Sequence, residues 1–148
     1  MRFVIQNAKY GRVTIDGKVV GEIGRGFVVL IGVSNTDTEA IADRMVEKMV
    51  KLRVFQDENG KTNLSLADIG GGLLLISQCT LYANCKKGNR PSFIEAGEPT
   101  RANELYEYII AKAKTLCPTV ERGEFGAMMQ VELCNDGPFT ILLDSDTL

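Results

Sequence analysis

The stretch Leu73-Leu74-Leu75-Ile76-Ser77-Gln78-Cys79-Thr80-Leu81-Tyr82-Ala83 decides how this chain is read. Four aliphatic residues follow Gly70-Gly71-Gly72 and then give way to four polar or thiol side chains. A short apolar run bounded by glycines predicts a buried strand. Polar groups at the end of such a strand must be hydrogen-bonded or must serve a ligand, because burying one unpartnered costs roughly 2–7 kcal/mol. Ser77, Gln78, Cys79 and Thr80 are therefore the first candidates for a site. The commoner role of the Ser77 and Thr80 hydroxyls, capping open backbone, stands beside that reading.

Downstream, Lys86-Lys87-Gly88-Asn89-Arg90-Pro91-Ser92-Phe93 forms a basic and irregular segment. Loops of this kind carry function disproportionately often. A strand end, its polar cluster and a cationic loop fit a pocket for an anionic substrate, although Lys86, Lys87 and Arg90 read equally as a solvated surface loop.

The chain's 148 residues predict one domain, 1–148, and its 45% hydrophobic and 24% charged residues are those of a globular protein. No apolar run is long enough to span a bilayer, and Met1-Arg2-Phe3-Val4-Ile5-Gln6 turns polar too soon for a secretory signal, so a cytoplasmic protein without membrane attachment is expected. With a net charge of −2, any polyanion must be met by a local basic patch. Cys79, Cys85, Cys117 and Cys134 lack C-x-x-C spacing and there is no histidine, which predicts free thiols and neither a zinc site nor another metal or cofactor. The missing imidazole also removes Ser-His and Cys-His catalysis. An enzyme built this way must rely on backbone dipoles, hydroxyls, carboxylates or groups of its substrate.

Periodicity supplies the remaining elements. Arg2 to Gln6 reads as a strand, and Arg12–Ile15 with Val19–Ile23 reads as a hairpin about Asp16-Gly17. Phe27–Val33 is a fully apolar strand. Thr36-Asp37-Thr38-Glu39 has the form of a capping box, and the spacing of Ile41, Ala42, Met45, Val46, Met49 and Val50 predicts a helix from Glu39 to about Lys51. Arg53–Gln56 and the turn Asp57-Glu58-Asn59-Gly60 lead to the central strand; Gly60 stands at the wrong place for a calcium loop. A second helix opens at Glu98-Pro99, carries the stripe Ala102, Leu105, Tyr106, Ile109, Ile110 and Ala113, and ends by Pro118. Two strands, Gln130–Cys134 and Phe139–Leu143, complete the chain through Asn135-Asp136-Gly137-Pro138. Ile23-Gly24-Arg25-Gly26-Phe27 and Ile69-Gly70-Gly71-Gly72-Leu73 look alike, which reads either as two similar β-α units or as glycine's usual place before a buried strand.

Taken together, Ser77-Gln78-Cys79-Thr80-Leu81, Gly88-Asn89-Arg90-Pro91-Ser92-Phe93, Phe125-Gly126-Ala127-Met128-Met129-Gln130-Val131 and Asn135-Asp136-Gly137-Pro138-Phe139-Thr140 resemble the motifs of the D-aminoacyl-tRNA deacylases, in that family's order. The resemblance runs from Val4-Ile5-Gln6 to Asp144. It implies an α/β fold whose mixed sheets form a barrel-like core flanked by two helices, in a homodimer with active sites at the subunit interface. The implied reaction is hydrolysis of the ester between tRNA and a D-amino acid or glycine, with aminoacyl-tRNA as the partner and no DNA expected.

By the same resemblance, Ser77, Gln78 and Thr80 carry catalysis. Cys79, Phe125, Met129, Arg90, Pro91, Ser92, Phe93, Lys86 and Lys87 bind substrate. Met128 and Met129 are expected to alternate between core and pocket. Gly137 and Pro138 form a cis dipeptide that enters the partner's pocket and excludes L-residues, although an ordinary turn is the commoner use of such a pair. An activated ester needs little more than backbone N–H donors near Gln78 to Thr80, a positioned water and the 2′-hydroxyl of the tRNA. Thr80 acts by its hydroxyl or by its main chain.

Two positions depart from the family pattern: Cys79 replaces its usual phenylalanine, and Asn7 its usual arginine. Cys79 reads as a packing residue rather than a nucleophile, since nothing here activates it. A related editing enzyme with a trans Gly-Pro, a small residue at the Cys79 position and looser chirality is the nearest alternative. A non-enzymatic dimeric nucleic-acid-binding module is the other.

Overall fold

A computed structural model describes residues 1–148. The chain runs β1 (Arg2–Ile15), β2 (Lys18–Ile23), β3 (Gly26–Gly32), α1 (Glu39–Lys51), β4 (Phe55–Gln56), β5 (Thr62–Leu64), β6 (Gly72–Ser77), α2 (Pro99–Leu116), β7 (Val120–Arg122) and β8 (Gln130–Asp144), with short 3₁₀ turns at Cys79–Tyr82 and Ser145–Thr147. Six strands make one mixed sheet, and β4 and β5 make a separate ribbon. β1 pairs antiparallel with β3 through residues 2–8 and with β2 through 11–15, while β8 follows it over nearly its whole length. β3 and β6, and then β6 and β7, are parallel, so α1 and α2 lie on the two crossovers that parallel pairing requires.

Alternation along the strands sorts the core. Phe27, Val29, Ile31, Leu73 and Leu75 pack with the buried stripes of both helices, Ala42, Met45, Val46 and Met49 on α1 and Leu105, Tyr106 and Ile109 on α2. Val28, Leu74 and Ile76 pack on the opposite side with Ala8, Val13 and Ile23, filling a small barrel interior. The barrel is nearly closed where β2 meets β7: a Cβ on Gly21 would stand 2.4 Å from the Arg122 carbonyl oxygen, so only glycine permits the approach. The expected barrel-like α/β core with two flanking helices is present. Neither helix is long and apolar enough to cross a membrane.

The two glycine-rich stretches prove to be structurally matched, since Gly26 is the register partner of Gly72 at the start of the parallel β3 and β6. Several expectations need correction. The helix cap is Thr38 rather than Thr36, its hydroxyl accepting from Ile41 N–H at 3.3 Å; the Glu39 carboxylate expected to complete the box instead pairs with Arg101 at 2.8 Å. The first strand continues to Ile15, and β7 lacked any alternating signal. The two tail strands are one strand, β8, because both halves pair with β1: Gln6 faces Thr140 and Ala8 faces Asn135, leaving residues 136–139 as a bulge opposite Asn7.

The expected cis bond at Gly137-Pro138 is not found, for no peptide in the structure is cis. Gly137 takes up the change of direction with φ 127°, a value open to glycine, and the X-Pro bond keeps its trans preference of about 0.5–1 kcal/mol. The bulge is held by Asn135, whose amide donates to the Asn7 and Phe139 carbonyls at 3.0 Å each. The Asn7 side chain is buried and donates to the Val54 carbonyl at 2.7 Å, so the arginine's replacement serves as a structural tie.

Candidate active site

β6 delivers the polar cluster. Ser77, its last residue, pairs with Ile31, and Gln78 N–H donates to the Ile31 carbonyl at 2.7 Å, after which the chain turns into the 3₁₀ segment. The Gln78 side-chain amide donates to the Thr80 hydroxyl. Leu81 N–H returns to the Gln78 carbonyl at 3.2 Å and Ala83 N–H to that of Thr80 at 3.1 Å. The N–H groups of Cys79 and Thr80 open the turn, a place where backbone donors have no partner within the turn itself. Cys79 and Thr80 are exposed, and Ser77 and Gln78 half-buried.

Arg2 braces this turn, a role no local sequence signal reveals. Its guanidinium donates to the Leu81 carbonyl at 2.8 Å, pairs with Asp144 at 3.0 Å and lies 4.5 Å from the centre of the Tyr82 ring. Burial, with Asp37 nearby, pushes the Tyr82 hydroxyl up to about 12.

Beyond the turn lies a cavity of about 850 Å³, within the range of about 300–1,000 Å³ typical of small-molecule sites. One wall is Ile76 with Ser77, Gln78, Cys79 and Thr80. A second is Phe93 and the start of α2, Ala96 to Pro99 with Ala102. The third is residues 125–129 with Val131, so Phe125, Met128 and Met129 all face the cavity. Met128 stands 91% exposed at the cavity, whereas Met129 is half-buried and packs against the barrel core as well as lining the cavity. Gly123 N–H and the Tyr106 hydroxyl both bond the Leu75 carbonyl, which ties the third wall to β6, and Phe125 packs 6.2 Å from the Tyr106 ring.

Glu98 is the one charged lining residue. Its carboxylate accepts from Thr100 and Arg101 N–H at 3.0 Å each, and these bonds hold it below the usual carboxylate range. It is thereby a helix cap and a weakened base. The α2 wall was not among the expected site residues; Pro99 at the helix start was its only trace.

The remaining expected residues lie outside the cavity. Lys86, Lys87, Arg90 and Pro91 are exposed in a loop closed by the Asn84–Ser92 pair, 2.7 and 2.9 Å, and of that segment only Phe93 lines the wall. Gly137 and Pro138 are exposed on the β8 bulge and line none of it. No group of three or more Cys, Asp or Glu could hold a metal ion.

The sequence profile of the D-Tyr-tRNA(Tyr) deacylase family matches residues 4–144. The chain belongs to that family. A D-aminoacyl-tRNA deacylase of Pseudoalteromonas translucida is 57% identical over 143 residues, covering 97% of this chain and 99% of the relative. Another, of Clostridioides difficile, is 52% identical and covers 98% and 97%. Among solved structures, one titled c-Myc DNA Unwinding Element Binding Protein superposes with a TM-score of 0.92 at 38% identity, over 97% of this chain and 98% of that one. A probable eukaryotic D-amino acid tRNA deacylase, at TM-score 0.84 and 18% identity over 96% and 97%, shares the fold. As a member of the D-Tyr-tRNA(Tyr) deacylase family the chain is an ester hydrolase, and its activity is D-aminoacyl-tRNA deacylation.

Proposed function

We propose that the cavity beside Ser77–Thr80 binds the 3′-terminal aminoacyl-adenosine of tRNA and hydrolyses D-aminoacyl and glycyl esters while excluding L-residues. The observation that carries this is the 3₁₀ turn at the end of β6, which opens with the N–H groups of Cys79 and Thr80 at the wall of the cavity. Such donors stabilise a developing oxyanion without reorganisation. The ester is held there by its carbonyl, a water attacks, and the 2′-hydroxyl of the terminal ribose assists its deprotonation. The carbon–oxygen bond to the ribose breaks, giving free amino acid and tRNA. Ser77, Gln78 and Thr80 position the carbonyl and water. Cys79, Phe125 and Met129 bound the aminoacyl and adenine space, and Lys86, Lys87, Arg90, Pro91, Ser92 and Phe93 meet the acceptor end.

The active form in this reading is a homodimer, in which Gly137 and Pro138 of each protomer enter the other's cavity and act on configuration at Cα through main chain alone. Support comes from β8, which pairs only with β1 and leaves its outer edge open, with Val131 and Leu142 exposed on the strand. Open edges are ready templates for another chain.

A second reading, hydrolysis with relaxed chirality, is favoured by the trans Gly137-Pro138 bond together with the small Cys79. Incubation with D-Tyr-tRNA, Gly-tRNA and L-Tyr-tRNA separates the cases. Release from the first two alone supports D-selective deacylation, and comparable release from L-Tyr-tRNA supports relaxed chirality. Inertness toward all three returns the protein to the nucleic-acid-binding class that the DNA-binding title of its 38% identical neighbour names.

A further inference from the structure

A groove of about 680 Å³ on the outer side of α1 is lined by Arg44, Lys48, Lys51 and Arg53, with Glu47 as its one acidic side chain. Elsewhere on this acidic chain, Arg2, Arg12, Arg101, Lys112 and Arg122 find carboxylates. None of the four groove cations pairs with a side-chain carboxylate. Arg44 donates to the main-chain oxygen of Leu148, the last residue described, at 3.2 Å, Arg53 donates to the Asn63 carbonyl at 2.9 Å and to its side-chain oxygen, and Glu47 is engaged with Lys112 at 3.2 Å. Asp68 senses Arg53 only as the least of the influences on its carboxyl.

Arg44, Lys48 and Lys51 recur at four and three residues, which puts them on one stripe of α1 about 10 Å long. The other end of α1 adjoins the catalytic cavity: Glu39 pairs with Arg101 at 2.8 Å, in the first turn of the helix whose start forms a cavity wall. Lys48 and Lys51 thus stand about 14 and 18 Å further along the α1 axis than Glu39. For a protein of net charge −2, a cluster of four cations with one acidic side chain beside them is a local positive field, and its complement is a polyanion.

We infer that this groove binds the sugar-phosphate backbone of the tRNA stem, remote from the aminoacyl end. The inference rests on aminoacyl-tRNA being the substrate. The contacts are to phosphates, so they supply affinity and register without reading sequence. Lys48 and Lys51 also suit the negative end of the α1 dipole, but that role accounts for neither Arg44 nor Arg53.

The test compares the unaltered protein with Lys48→Gln/Lys51→Gln and with Lys48→Arg/Lys51→Arg. Binding of fluorescein-labelled uncharged tRNA is followed by anisotropy across a salt series, and hydrolysis of D-tyrosyl-adenosine, which has no stem, is measured alongside. The glutamine pair should weaken tRNA binding by about tenfold at low salt and reduce the slope of log affinity against log salt by about 2, one for each lost phosphate contact. The arginine pair should restore both, and D-tyrosyl-adenosine turnover should stay unchanged. An unaltered affinity and slope in the glutamine pair, or an equal loss on the stemless ester, overturns the groove's role. If the unaltered protein fails to cleave D-tyrosyl-adenosine, the reading of the cavity falls instead, and the anisotropy series still decides the groove.

Discussion

The Tyr106 hydroxyl of α2 donates to the Leu75 carbonyl of β6 over 2.7 Å, and the same oxygen receives Gly123 N–H at 3.1 Å. Helix, central strand and the segment leading to the third cavity wall therefore meet on one atom. Tyr106→Phe removes one donor while the carbonyl keeps the other, so the loss should fall near the ordinary value for a hydrogen bond, about 1 kcal/mol, rather than that of an orphaned group. Urea denaturation checks this through a lower midpoint at unchanged slope.

Alkaline pH should destabilise the fold through two tyrosines. Burial raises the Tyr106 and Tyr82 hydroxyls to about 12, against 10 in the unfolded chain. A raised folded-state value means the native state resists deprotonation, so this stability is complete below pH 10 and is lost as pH rises toward 12. Melting temperatures recorded across that window should fall less steeply for Tyr106→Phe than for the unaltered protein.

Gly26 should be intolerant of any side chain. A Cβ there would stand 2.0 Å from the Gly72 carbonyl oxygen, and both partners are main chain that cannot rotate away. Gly26→Ala should cost about 3 kcal/mol or more, at the upper end of overpacking effects. Gly24→Ala, which meets nothing within 4 Å, serves as the comparison in the same denaturation series.

Asn135 links stability to selectivity. Its amide donates to the carbonyls of Asn7 and Phe139, fixing the bulge that carries Gly137 and Pro138. Asn135→Ala should cost about 1–2 kcal/mol and, in the cross-subunit reading, lower the ratio of D-Tyr-tRNA to L-Tyr-tRNA hydrolysis. An unchanged ratio in a well-folded variant would remove the bulge from chiral selection.

Thr80 tests whether the hydroxyl or the main chain acts. Its hydroxyl is occupied by the Gln78 amide, whereas its N–H opens the 3₁₀ turn. Thr80→Ala should lower kcat by less than about tenfold and Thr80→Ser hardly at all. A drop on the scale of losing an oxyanion donor, about 10² to 10³, would give the hydroxyl a chemical role.

Much of this was legible in the residues. The run from Leu73 to Thr80 announced both the central strand and the cluster at its end, and the stripes of Met45 and Leu105 announced the helices, because burial imposes a period that side chains display. What stayed hidden depends on long-range pairing. β8 looked like two strands because Asn135 to Pro138 is turn chemistry, yet β1 accommodates both halves across a bulge. Three residues of β7 have no period to display. Thr38 caps α1 in place of Thr36, and Glu39, which would have completed the expected box, is taken up by Arg101 of α2, 62 residues away. Arg2 belongs to the site through a contact 79 residues away in the chain, and the α2 wall faces the turn only because α2 packs back across the sheet, neither of which a local window of sequence contains. The motif resemblance supplied Phe125 and Met129, whereas Met128 and Glu98 came from the geometry alone.

The cavity draws its walls from residues 76–80, 93–102 and 125–131, and the last of these is anchored through Gly123 to the Leu75 carbonyl. A nascent chain that has emerged only as far as α2 possesses the turn after β6 and still lacks the third wall of the cavity beside it. In the proposed reading, hydrolysis therefore awaits the docking of residues 125–131, however early the turn itself is made.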